Sequence, residues 1–390
     1  MIAAAVLGAL SFAAWVYLLA FRGGFWLARE RDDREEPAPP ATWPSVAAVV
    51  PARNEADVVG RSVGSLLAQD YPGAFRVILV DDSSDDGTAD VARRAASDHG
   101  AEDRLAVIRG APLAAGWTGK LWAVRQGVAE ASAPTPAGQR PAWLLITDAD
   151  IAHSPDNLCA LVARAEAGRM AMVSLMARLT TQTWPERLLI PAFVLFFDML
   201  FPFAWVNDPR RKTAAAAGGC MLVRREALEA AGGMEAIRAQ IIDDCALAVR
   251  MKAQGPIWLG LTQRAVSLRP YTNLGEIGRM VSRSAYAQLN YSPWLLAGTV
   301  IGMGLVYLAG PLLTFAAAGP AQWLGAAAWL AMTVAFQPML RFYRASPLWA
   351  LAAPLIGALY TLFTIQSALQ VWGGRGGMWK GRAQALAAAK

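Results

Sequence analysis

Two textures of apolar and polar positions divide this chain. Between residues 45 and 180, short apolar runs alternate with longer stretches of mixed character. The runs Ser45 to Val50, Phe75 to Val80, Arg104 to Ile108, Trp143 to Ile146 and Met170 to Ala177 read as strands buried on both faces. Helices are expected after Glu55 to about Gln69, from Thr88 to about Asp98, from Lys120 to Ala131 and after Asp150. In the last of these, Ser154 is the expected N-cap and Pro155 the first helical residue. Strands alternating with helices imply an α/β unit built on a mostly parallel sheet.

The second texture is a set of long uncharged blocks. Residues 1–21 carry no charge, nor do 284–340 or 345–374. The first block, and blocks at about 293–317, 321–340 and 348–371, are each long enough to cross a bilayer as a helix. Trp184 to Val206 is also very apolar but is broken by Pro191, Asp198 and Pro202. It reads as a helix lying in the membrane interface, because a full crossing would strand the acids that follow on the wrong side.

Composition sharpens this picture. Of the 390 residues 55% are hydrophobic and only 17% charged, with mean hydropathy +0.31, which is too apolar for an ordinary soluble domain. The net charge of +6 rules little out by itself, but no Lys/Arg block with interleaved aromatics is present, so nucleic acid is not an expected partner. The arginines instead gather beside apolar blocks: Arg22, Arg29, Arg31 and Arg34, then Arg341 and Arg344, then Arg375, Lys380 and Arg382. By the positive-inside rule, the segment after residue 21 faces the cytoplasm, giving a multi-pass protein of the inner membrane with a cytoplasmic catalytic part. The last block conflicts with that rule. Either it is re-entrant, bent at Pro354, or the rule is overridden.

The resulting division is an anchor at 1–21, a charged Pro-rich linker at 22–44, a catalytic domain at 45–283, a transmembrane region at 284–374 and a basic tail at 375–390. Cys159, Cys220 and Cys245 show no disulfide or metal spacing. With only His99 and His153 present, a His-based zinc site is excluded and any metal must be held by oxygens.

Candidate chemistry falls at strand and helix ends, where ligands bind in open α/β sheets. The strand Trp143 to Ile146 runs into Asp148 and Asp150, a pair suited to Mg²⁺ or Mn²⁺ carrying a diphosphate, or to a plain solvated turn. Pro51-Ala52-Arg53-Asn54-Glu55 is a polar loop that either grips a base and ribose or caps a helix. Asp82 is assigned to a nucleotide, and Ser84 and Asp85 to capping the helix that follows. Of Asp243 and Asp244, the first reads as an N-cap and the second as a general base for a hydroxyl nucleophile.

Together these motifs resemble family 2 glycosyltransferases of the GT-A fold. The resemblance rests on Val49 to Glu55, Val80 to Thr88, Asp148-Ala149-Asp150, Gly218 to Arg224 and Ile242 to Leu247, and covers about residues 45–290. Arg279 to Ser292, with the flanking apolar blocks, is similar to the hopanoid-associated branch.

The resemblance implies an inverting transfer from a nucleotide-diphosphate sugar, usually UDP-linked, with a divalent cation. It implies that Pro51, Glu55 and Asp82 hold the nucleotide, that Asp148 and Asp150 hold ribose and metal, and that Gly218 and Gly219 leave room for the sugar. It also implies Lys120 near the donor and Asp244 as base. Two departures stand out: the family's Glu-Asp pair is Asp243-Asp244, and of the signature of processive and ceramide-type members only Arg283 survives, a candidate for the leaving diphosphate. The expected acceptor is a lipid, hopanoid by the narrower resemblance. A polyprenyl-phosphate or ceramide-type transfer and a non-catalytic membrane scaffold are the alternatives.

Overall fold

The computed structural model describes residues 2–133, 140–374, 376, 378–379 and 382–383. The stretch 133–141, a loop by its Pro and Gly content, and the tail expected at 375–390 fall for the most part outside them. The chain forms two compact units. One comprises Glu30–Thr180 and Trp205–Arg269 and carries the sheet; the other comprises Met1–Arg29, Thr181–Ala204 and Pro270–Gly377 and is helical. Thr181–Ala204 and residues 270–283, expected within one catalytic domain, group with the apolar helices.

The sheet unit is built on eight strands: β1 Val46–Ala52, β2 Phe75–Asp81, β3 Leu105–Arg109, β4 Trp143–Thr147, β5 Ile151–His153, β6 Met172–Arg178, β7 Cys220–Arg224 and β8 Ile257–Ser267. Their order is β3-β2-β1-β4-β7-β6-β8-β5. β1, β2, β3 and β4 run parallel, as do β6 and β8, while β7 is antiparallel to both its neighbours and β5 to β8. β1, and β4 with its single polar residue Thr147, are fully buried, with helices such as Val59–Leu67 and Asn157–Ala167 packing their apolar faces on the sheet. The five expected strands are all present. β7 and β8 were not anticipated, and β5 takes residues expected to lead into a helix. That helix starts at Asn157, after Asp156, and Ser154 bonds Asp156 instead of capping it.

Part of the expected linker is docked on this unit. Arg31 bridges to Leu261, the buried Asp32 accepts a hydrogen bond from Thr262 at 2.6 Å, and Arg264 pairs with Asp32, Glu36 and Asp156.

In the helical unit four helical segments are long and apolar enough to cross a membrane: Ile2–Phe21, Pro293–Ala316, Pro320–Phe342 and Pro347–Trp372. They coincide with the four uncharged blocks. Pro293–Ala316 contains a π turn at Gly304–Leu308, and Trp15 donates to the Val306 carbonyl within it at 2.8 Å. Pro354 lies in the first turn of the Ala353–Trp372 helix, where a missing N–H costs nothing; it starts that helix and does not bend it.

The Trp184–Leu200 helix differs from expectation. Leu188, Leu189, Ile190, Ala192, Val194 and Leu195 are all buried, so much of its apolar content is core packing within the unit, while Trp184 and Leu200 at its two ends are exposed. Arg22 is correspondingly no simple surface charge. It donates to the carbonyls of Met199 and Leu200 at the end of that helix.

Candidate active site

The parallel strands β1, β2 and β4 all deliver their carboxyl ends to one edge of the sheet. Register pairs Ala52 with Asp81 and Val49 with Ile146, so the residues following each strand are neighbours. β1 extends through Ala52, which makes Pro51 a buried strand residue instead of part of the loop after it. The loop begins at Arg53. Its Nη1 donates to the Asp82 carbonyl at 2.5 Å and lies 3.7 Å from the Asp82 carboxylate. Arg53 Nε is buried and, among the described residues, lacks a hydrogen-bond partner. An orphaned guanidinium nitrogen of this kind suits a ligand that brings an acceptor.

The loops after β1 and β2 are laced together. Asn54 N donates to Ser84 Oγ at 3.0 Å, Asp85 N to Asn54 Oδ1 at 3.1 Å and Glu55 N to Thr88 Oγ1 at 2.9 Å. The N-cap of the Thr88–Asp98 helix is Gly87, and it is Asp86, not Ser84 or Asp85, that accepts from both the N–H and the hydroxyl of its first residue, Thr88. Asp86 therefore titrates below the usual carboxylate range: these hydrogen bonds, with one from Ala56 N, outweigh the opposing effect of partial burial.

Two clusters form at the β4 end. In the first, Lys120 Nζ lies 2.9 Å from Asp148 and 3.3 Å from Asp243. Thr118 caps the Gly119–Ser132 helix through Leu121 N, which fixes Lys120 in its first turn. Asp243 was expected to be an N-cap. It is instead the first residue of the Asp243–Lys252 helix, with no cap bond from its predecessor, and its carboxylate turns to Lys120.

Asp244 is held by two backbone amides: Gly218 N donates to Oδ2 at 3.0 Å and Cys245 N to Oδ1 at 2.7 Å. A Cβ on Gly218 would sit 3.4 Å from both Asp244 Oδ2 and Lys120 Nζ, so a larger residue there would crowd both groups. Gly219 is tighter still against Ala177 and Ile151, each 3.3 Å from where its Cβ would stand.

The second cluster was invisible in the sequence. β5 pairs with β8, Leu268 N donates to the Asp150 carbonyl at 2.7 Å, and the next residue, Arg269, reaches the Asp150 carboxylate at 3.1 Å. The same guanidinium pairs with Glu55, which is 8% exposed. An arginine just past the carboxyl end of a strand was the available signal, but without β8 there was no strand end to attach it to.

The electrostatics follow from crowding. Burial pushes the Asp244 carboxyl up to about 6, with the neighbouring Asp243 charge adding to it and Lys120 opposing. Burial, reinforced by Asp150 and Asp243, also raises Asp148 despite the Lys120 contact. Burial works against the charged form of Lys120, but Asp148 and Asp243 outweigh it, so its pKa lies above the ordinary lysine value. Lys120 is thus an ammonium at any working pH.

Beneath the site His153 Nδ1 contacts Asn157 Nδ2 at 2.8 Å and its Nε2 contacts Thr147 Oγ1 at 3.0 Å. The Thr147 hydroxyl then donates to the Gly219 carbonyl at 2.7 Å.

The structure thus gathers Lys120, Asp148, Asp243, Asp244 and Gly218, and joins Glu55 to Asp150 through Arg269. Asp82 stands beside Arg53 at the same sheet edge. Arg279 and Arg283 are exposed residues of the helical unit.

Residues 47–232 match the family model for glycosyl transferase family 2. The chain carries a glycosyltransferase domain of that family, and is an enzyme of the glycosyltransferase type. The fold agrees: the mannosyltransferase PcManGT from Pyrobaculum calidifontis, solved in complex with GDP-Man and Mn2+, is similar over 94% of this chain and 98% of its own, with 19% identity and TM-score 0.59. Looser likenesses are glucosyl-3-phosphoglycerate synthase from Mycobacterium tuberculosis with Mg2+ and UDP, at 16% identity over 63% of this chain and 79% of its own, TM-score 0.41, and S. aureus TarS, at 14% over 87% and 95%, TM-score 0.37. Those two are too distant to bear on the fold. No curated protein matches the chain.

Among the described residues no three His, Cys, Asp or Glu side chains converge as a ready metal cage. Asp148 and Asp150 are nonetheless oxygen donors, one residue apart at the sheet edge. That fits a hard cation, which keeps most of its coordination for diphosphate and water.

Proposed function

We propose that this protein is a membrane-held, inverting glycosyltransferase that moves a sugar from a nucleotide-diphosphate sugar to a lipid hydroxyl. The observation that carries the reading is the joining of Asp148, Asp243 and Asp244 around Lys120 and Gly218 at the carboxyl edge of the sheet. Glu55, Asp82 and Arg53 are the residues assigned to the nucleotide, and Gly218 gives the sugar room beside Asp244 and Lys120, whereas Gly219 serves close packing on Ala177 and Ile151. Asp148 and Asp150 would hold a Mg²⁺ or Mn²⁺ ion, which would offset the charge of the departing diphosphate.

The chemical step is one displacement. The acceptor oxygen forms a bond to the anomeric carbon as the bond from that carbon to the diphosphate breaks, and the hydroxyl proton passes to Asp244. A carboxylate pushed up to about 6 is a stronger base than an ordinary aspartate yet is ionised at neutral pH. The amides of Gly218 and Cys245 fix its orientation and leave lone pairs for the acceptor.

The four apolar segments support a membrane location and with it a lipid acceptor, and the arginines that follow residue 21 support a catalytic unit on the cytoplasmic face of the inner membrane. A UDP-linked donor is the first to test, with a GDP-linked one as comparator. A hopanoid alcohol is the first acceptor, from the resemblance of Arg279 to Ser292.

The test is Asp244→Asn. Donor binding persists and transfer falls by ~10²–10⁴ if Asp244 is the base. Turnover at the unmodified rate removes it from that role and favours an anionic acceptor, such as a polyprenyl phosphate, that needs no base.

A further inference from the structure

Each acid of the Asp148-Ala149-Asp150 pair already has a resident cation. Lys120 holds Asp148 at 2.9 Å, and Arg269 holds Asp150 at 3.1 Å while also gripping Glu55. We propose that Arg269 is a further donor-site residue: it neutralises Asp150 and Glu55 while the site is empty, and exchanges Asp150 for the donor diphosphate when a divalent cation and nucleotide bind together. The inference rests on the donor-site reading above and assigns a role to a residue outside the motifs that suggested it.

Three observations support the exchange. The Arg269 backbone is anchored, since Leu268 N donates to the Asp150 carbonyl and Arg269 N bonds Ser267 Oγ at 3.3 Å, so the side chain is aimed from a fixed point. That side chain is 35% exposed, so its guanidinium can swing without unpacking the core. Finally, a guanidinium fork matches the oxygens of a diphosphate as well as those of a carboxylate, so the exchange trades one charge-assisted contact for another.

The consequence is a coupling between two ligands. A cation arriving alone must displace Arg269 from Asp150 and leaves the guanidinium with fewer anionic partners. Arriving with a diphosphate, it leaves Arg269 a replacement partner. Cation and nucleotide therefore bind weakly apart and tightly together, and the coupling is reciprocal.

The experiment uses the full chain in detergent, with Mn²⁺ followed by electron paramagnetic resonance and UDP or GDP by calorimetry, each alone and then together. In the unmodified protein Mn²⁺ and nucleotide enhance each other. In Arg269→Met, with the melting profile unchanged, Mn²⁺ alone binds about tenfold tighter, nucleotide in the presence of Mn²⁺ binds about tenfold weaker, and the mutual enhancement collapses. Arg269→Lys keeps a charge but lacks the fork that spans Glu55 and Asp150, so it lies between the two; it decides the matter if the methionine variant does not fold. Mn²⁺ affinity that is unchanged or weaker in a folded Arg269 variant overturns the inference and leaves the donor-site reading intact. An unmodified protein that binds neither nucleotide with Mn²⁺ overturns the donor-site reading itself.

Discussion

Both units fix acidic side chains in place, but they hold them differently. In the helical unit Glu186 is fully buried and accepts backbone N–H bonds from Gln182, Thr183 and Tyr271 at 2.7–2.8 Å, completing a capping box with Thr183. Asp198, also buried, accepts from Phe203 N at 2.9 Å. In the sheet unit Asp148, Asp243 and Asp150 are held by the ends of two long side chains, Lys120 and Arg269. A backbone amide cannot leave without unwinding a turn. An ammonium or guanidinium can swing away when a ligand offers something better. Burial of a carboxylate therefore does not mark a functional site by itself: Asp148, Asp243 and Asp150 are held by groups that can exchange, while Asp244, the proposed base, is kept in orientation by the amides of Gly218 and Cys245.

The largest effect that would sharpen this contrast is at the exchangeable acids. Asp148→Ala removes one of the two oxygen ligands proposed for the cation, and transfer is expected to fall by about 10²–10³. Calorimetry with UDP and Mn²⁺ shows whether cation-dependent donor binding goes with it.

Next is Lys120→Met, which strips Asp148 and Asp243 of their shared cation. Because Asp148 is about one-third open to solvent, the expected stability loss is about 1–3 kcal/mol, below that for a fully buried pair. The more telling readout is the pH profile. Asp244 must be ionised to act as base, so the rate of the unmodified enzyme is lost as pH falls through about 6. Without the ammonium to oppose the burial effect, the Asp244 pKa rises and this acidic limb moves to higher pH. An unmoved limb would break the link between Lys120 and the base.

In the helical unit, Glu186→Gln is expected to cost about 1–3 kcal/mol of stability, read as a lowered Tm in detergent, with kcat per folded molecule unchanged. A selective loss of kcat there would erase the contrast between the two units. At neutral pH the smallest effect comes from His153, whose pKa burial lowers from 6.5 to about 4. Its neutral form is the one the fold accepts, so its contribution to stability is complete above pH 6.5 and drains away as pH falls toward 4. The loss is on the order of 2 kcal/mol by pH 5, and His153→Gln is expected to flatten that slope.

Much of the sheet could be read in advance because β1, β2, β4 and β6 are predominantly apolar runs, and after β1, β2 and β4 a polar loop follows at once. β8 escaped because Thr262 and Arg264 break its apolar pattern; both are committed to Asp32, which comes from a stretch that looked like linker. β5 is three residues long and has meaning only through its pairing with β8. Losing β8 meant losing Arg269 with it. Asp243 was misassigned for a related reason. Two acids at a helix start look like caps, and nothing local reveals that Lys120, far back in the chain, claims one of them. Motif residues tied to their own strand ends were legible, whereas residues defined by a partner elsewhere in the fold were not.

The central claim is transfer of a sugar to a lipid by the Asp244 site. It is tested most directly by incubating membranes carrying the protein with Mn²⁺ and a panel of labelled nucleotide sugars, then extracting into organic solvent. The account predicts label in the lipid phase for at least one donor, with a chelator abolishing it and Asp244→Asn reducing it by ~10²–10⁴. Label confined to the aqueous phase for every donor, or equal lipid labelling by Asp244→Asn, would contradict it.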